Sequence, residues 1–191
     1  SCNTVEESVE RAIQGGVSVV QLREKEASSR ELFELAKRVK RVTDKYDVPL
    51  IINDRLDICL AVDAAGVHLG QTDLPCSEAR RILGAEKIIG VSAATPEEAA
   101  KAQSDGADYL GVGAVFATST KTNTRSVTAE TIRAIRSAVD IPFVVIGGIN
   151  SENISGLHGL GINGAAVISA IISQPDITAA ARKMRQAAER L

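Results

Sequence analysis

Short apolar runs and amphipathic helical segments alternate along this chain without interruption, and strand starts recur about every two dozen residues. Strands are expected at 17–22, 49–54, 66–70, 88–92, 109–116, 143–148 and 164–170. They read as almost continuous apolar stretches, as parallel strands covered on both faces do. Helix starts are marked between them. Thr4 and Glu7, and Ser28 and Glu31, have capping-box spacing. Thr95-Pro96-Glu97-Glu98 places proline at the first helical position and acids in the first turn. Thr128 caps a further helix, and the final helix begins near Asp176. The pattern predicts seven strands and eight helices in one α/β domain over residues 1–191. A (β/α)8 TIM barrel accommodates that many units better than a flavodoxin-like open sheet. Such a barrel begins with a strand, whereas this sequence opens on a helix, so its first strand is expected to be missing.

Composition narrows the functional classes. The 191 residues are 45% hydrophobic with a net charge of −2, which supports one sizeable core and lacks the basic face of a nucleic-acid binder. Aromatic residues make up 3%, too few for base-stacking platforms. Cys2, Cys59 and Cys76 are scattered without metal-ligand spacing and suit the reduced thiols of a cytoplasmic protein. No run approaches the roughly 18 apolar residues of a membrane span. A small-molecule enzyme is expected, without nucleic-acid or membrane partners; the sequence leaves homo-oligomerisation open.

The unusual polar residues fall at the carboxyl ends of the expected strands. In 17–25, Gln21, Arg23 and Lys25 alternate onto one face, which turns from apolar to cationic toward the strand's end. Two cations and an amide at a barrel mouth suit an anion such as a diphosphate. Asn53-Asp54 ends the next strand and Asp73 follows the one after. Neighbouring strands lie about 4.8 Å apart, so the two carboxylates can share one Mg²⁺. Taken alone, Asp54 and Asp73 also fit as caps of the following helices. Likewise, Arg23 and Lys25 fit an internal salt-bridge network with Glu24 or a neighbouring Asp. The hydroxyl-rich loop around Lys121 reads either as a solvated loop or as a lid over phosphate oxygens. Gly147-Gly148 and Ile168-Ser169 occupy the loops where barrels of this kind bind phosphate. His68 reads as a packed core histidine and His158 as a surface helix residue, and no catalytic triad is visible.

Assembled, these stretches resemble the thiamine-phosphate synthase family. The likeness runs from about Ala12 onward and rests on VQLREK (20–25), PLIINDR (49–55), GVHLGQTDLP (66–75), TSTK (118–121) and IGGIN (146–150). The resemblance implies a TIM-barrel transferase that joins hydroxymethylpyrimidine diphosphate to thiazole phosphate, releasing pyrophosphate and forming thiamine monophosphate. It implies that Gln21, Leu22, Arg23, Glu24, Lys25, Asn53, Ser92 and Lys121 bind the pyrimidine diphosphate. Arg23, Lys25, Ser92 and Lys121 would act in catalysis, and Asp54 and Asp73 would hold Mg²⁺. Thr118, Ser119, Thr120, Gly148, Ile168 and Ser169 would bind the thiazole phosphate. The family's histidine two positions after the serine is Ala94 here, which counts against the related thiazole tautomerase, an isomerase needing a proton-transferring group. A non-catalytic phosphate-binding barrel is the other alternative.

Overall fold

The computed structural model describes residues 3–116 and 126–191. Seven strands form one sheet in sequential order, every neighbouring pair parallel. They are β1 (Val20–Leu22), β2 (Leu50–Asn53), β3 (Gly66–Leu69), β4 (Ile88–Ala93), β5 (Tyr109–Gly113), β6 (Phe143–Ile146) and β7 (Gly164–Ala166). The helices are α1 (Val5–Gln14), α2 (Ser29–Lys45), α3 (Leu56–Ala61), α4 (Cys76–Leu83), α5 (Pro96–Ser104), α6 (Ala129–Ala138), α7 (Ser169–Ile172) and α8 (Ile177–Ala188). This is the expected TIM-barrel-like alternation. The sheet curls so that the helical layer meets itself: Thr178 of α8 donates to the Arg11 carbonyl of α1 at 3.0 Å. There a Cβ on Gly15 would lie 2.4 Å from that of Ala181. Among the described residues, β1 pairs only with β2 and β7 only with β6.

The start signals act as read. Thr4 and Ser28 each close a capping box, Thr95 and Thr128 accept from the N–H three residues on, and Asp176 accepts from Ala179. Several boundaries differ from expectation: β5 ends at Gly113 rather than 116, and β7 ends at Ala166 rather than 170, with 169–170 already in α7. β1 begins at Val20, opposite Leu50, so 17–19 precede the ladder and Val19 is half exposed. The β6–β7 connection holds only a 3-10 turn, Ile154–Leu157, and the short α7 precedes α8. No helix among the described residues is long and apolar enough to cross a membrane. Cys59 and Cys76 are free and buried, and burial pushes the Cys59 thiol up to about 11.

Each strand divides its side chains between two layers. Val20, Leu22, Leu50, Ile52, Val67, Leu69, Ile89, Val91, Leu110, Val112, Phe143 and Val145 join the core formed with the helices. The alternate positions face the barrel interior, and there the strands carry Gln21, Asn53, His68, Ser92 and Tyr109 together with Gly66, Gly90 and Gly111. The main core therefore lies between sheet and helices, while the interior combines Ile51, Ile88, Val144 and Ile146 with these polar residues, which lead to the mouth at the strands' carboxyl ends.

Candidate active site

At the mouth, β2 and β3 bring two carboxylates together. Asp54 follows β2 with φ 62°, a left-handed conformation uncommon for residues other than glycine. Its N–H donates to the His68 carbonyl of β3 at 2.9 Å, which ties the turn to the neighbouring strand. Asp73 closes the turn after β3 by accepting the Gly70 N–H at 2.7 Å. The Asp73 carboxyl lies against Asp54. Burial first, then the shared hydrogen bond and the Asp54 charge, raise its pKa, opposed by the Gly70 N–H and Lys25. Neither residue caps a helix. Arg55 takes the N-cap of α3 and Pro75 that of α4, both without a side-chain cap, so the capping alternative is removed.

Lys25, beyond β1, places Nζ 3.3 Å from Asp54 Oδ2. The salt-bridge alternative is thus half realised: the pair exists, but it forms at the rim, with the lysine side chain 53% exposed. Arg23 and Glu24 are exposed beside it, and Glu24 accepts the Glu26 N–H at 3.0 Å. Leu22 is buried in the helix-facing core, as its alternation with Gln21 requires, so only its main chain is left for a ligand. Asn53 ends β2 half-buried, in register with His68.

Ser92 of β4 is held from two sides: its carbonyl accepts from Gln71 Nε2 at 2.6 Å and its hydroxyl meets His68 Nε2 at 2.9 Å. The other His68 nitrogen, Nδ1, lies 3.0 Å from the Tyr109 hydroxyl. Tyr109 is pushed up to about 12 by burial, partly offset by a hydrogen bond from the Gln21 side chain. His68 is therefore packed, as expected, but it is packed into a polar chain. Sequence reading passed over Tyr109 and Gln71. A tyrosine opening a strand, two positions before Gly111, was the available signal for Tyr109.

Across the mouth, Gly147 and Gly148 follow β6 with φ 102° and 62°. A Cβ on Gly147 would lie 2.5 Å from that of Ala114, so the close turn requires glycine. Asn153 fixes it by donating to the Gly148 carbonyl at 2.8 Å. Ile168 and Ser169, exposed at the start of α7, follow β7. Thr118, Ser119, Thr120 and Lys121 lie outside the described residues. Ala94, at the position of the family histidine, offers only its N–H, which donates to Glu98 at 2.7 Å.

Two apposed carboxylates could hold a hard ion that completes its shell with water and a ligand's oxygens, and the cations at the rim suit that ligand's negative charge. The family model for thiamine monophosphate synthase matches residues 1–171. The thiamine-phosphate synthase of Ruminiclostridium cellulolyticum is 58% identical over 184 residues, 96% of this chain and 88% of that protein. That of Clostridium botulinum is 53% identical over 191 residues, 100% of this chain and 90% of that protein. Among solved structures, the thiamine phosphate pyrophosphorylase of Pyrococcus furiosus superposes with a TM-score of 0.91 at 40% identity, covering 98% of this chain and 91% of that one.

Proposed function

The chain belongs to the thiamine monophosphate synthase family and is a transferase of thiamine biosynthesis, and from that premise we propose how its barrel mouth performs the coupling. The substrates are a hydroxymethylpyrimidine diphosphate and a thiazole phosphate. The apposition of Asp54 and Asp73 beside Lys25 carries this reading. Two partly buried carboxylates in contact are unfavourable without a cation between them, and the donor set fits Mg²⁺. When bound there, Mg²⁺ supplies positive charge to the oxygens of the departing diphosphate.

The chain's own residues do the rest. Arg23, Lys25 and Lys121 bind diphosphate oxygens and stabilise the charge that develops as the methylene C–O bond breaks. The bonding electrons leave with the diphosphate, and the pyrimidine's amino group stabilises the cation-like methylene. The thiazole nitrogen then supplies its lone pair to form the C–N bond. Gln21, Asn53 and Ser92 orient the pyrimidine diphosphate, joined by the main chain of Leu22 and by Glu24. Thr118, Ser119, Thr120, Gly148, Ile168 and Ser169 hold the thiazole phosphate. No protein nucleophile is required. The chain's partners in this reading are the two small-molecule substrates, and the site of action is the cytoplasm.

Incubating the chain with both substrates and Mg²⁺ tests the reading. Thiamine monophosphate and pyrophosphate should form in equal amounts. Recovery of both substrates unchanged would mark a phosphate-binding barrel instead, and isomerisation of the thiazole phosphate alone would mark a tautomerase.

A further inference from the structure

We infer that His68 and Tyr109 are positioning residues whose relay commits the Ser92 hydroxyl to donating toward the mouth. The inference deepens the proposed coupling and rests on it for the role of Ser92; the relay itself rests on barrel geometry.

His68, Gly90 and Tyr109 lie in one register row across β3, β4 and β5. The middle position has no side chain, so phenol and imidazole meet over it, with ring centroids 5.5 Å apart. A Cβ on Gly90 would sit 2.1 Å from Tyr109 Cζ. The next interior row repeats the device. Ser92 is in register with Gly111, where a Cβ would lie 2.9 Å from His68 Cε1. Two glycines on adjacent strands thus leave the space that one tyrosine and one histidine fill. The result is a continuous chain: Tyr109 hydroxyl, His68 Nδ1, His68 Nε2 and Ser92 hydroxyl. It links β5, β3 and β4.

The chain has a direction. A neutral imidazole offers one donor and one acceptor. A phenol is far more acidic than a neutral imidazole N–H, so Tyr109 donates to Nδ1 and Nε2 keeps its proton. Nε2–H then donates to the Ser92 oxygen. The serine's own O–H is left to donate elsewhere, toward the ligand. Each bond polarises the next, and the donor strength of Ser92 depends on groups on both neighbouring strands. His68 and Tyr109 act through Ser92.

Two measurements test this. Imidazole ¹⁵N shifts in the full chain should report Nε2–H with an unprotonated Nδ1; the Nδ1–H tautomer, or protons on both nitrogens, would overturn the relay. His68→Gln retains an N–H near the Nε2 position and should keep most of kcat. His68→Leu should lose about tenfold in kcat with little change in KM, as loss of one hydrogen bond felt in the transition state does. In a Ser92→Ala background the glutamine and leucine variants should become alike. An equal tenfold gap in both backgrounds would overturn the inference. Tyr109→Phe removes a single hydroxyl and should scramble the tautomer signal, which keeps the relay testable should the leucine variant not fold. A wild-type chain that fails to couple substrates would defeat the functional reading, while the nitrogen shifts would still decide the relay.

Discussion

Asp54 combines an uncommon backbone conformation with a carboxylate neighbour, two costs at one residue. The Asp73 pKa is raised, so the folded chain holds that proton more tightly than the unfolded chain does. The contribution of Asp73 to the stability of the metal-free protein is therefore fully present below the ordinary value of 3.8 and is lost as pH rises from there through the raised value. Asp73→Asn removes that fall while its amide oxygen still accepts the Gly70 N–H. The variant should melt higher than wild type at neutral pH without metal, by less than about 1 kcal/mol as befits a partly exposed pair. It should also lose the upward shift that Mg²⁺ gives the wild type. Thermal melts of both chains across pH check this, and a lower melt for the variant would contradict it. Gly90 makes a second residue-scale test. Gly90→Ala drives a Cβ into the Tyr109 ring and should cost about 1–3 kcal/mol, the range for overpacking. Gly156→Ala, whose Cβ meets nothing within 4 Å, is the matched control.

At the scale of elements, local signals were legible and lateral ones were not. A capping box depends on residues three apart, so Thr4–Glu7 and Ser28–Glu31 could be read from the sequence and both form. Ser28→Ala should lower stability by about 1 kcal/mol, measured by denaturant unfolding. The carboxyl ends of β2 and β3 were equally readable, because Asp54 and Asp73 break apolar runs at strand ends. The interior relay was hidden. Its logic lies in which residue stands beside which across strands, and Gly90 between His68 and Tyr109 is a fact of register. Leu22, between Gln21 and Arg23, was legible too, since alternation along the strand alone puts it in the helix-facing core. The β6–β7 connection was not, and there His158 follows a single 3-10 turn.

For the whole molecule, the sequential parallel sheet puts every strand's carboxyl end at one mouth, where loops from β1, β2, β3, β6 and β7 converge. The polar residues of the interior behind that mouth then serve the site, and the main apolar core lies in the layer between sheet and helices. This division lets one small barrel carry charged and neutral polar groups without weakening its core. The most direct test titrates Mg²⁺ into the coupling reaction of the wild type and of Asp54→Ala. The account predicts saturable activation of the wild type, none in a chelator, and a loss of at least about 10²-fold in the variant at any Mg²⁺ concentration. Full turnover in a chelator, or a variant that Mg²⁺ activates as it does the wild type, would contradict it.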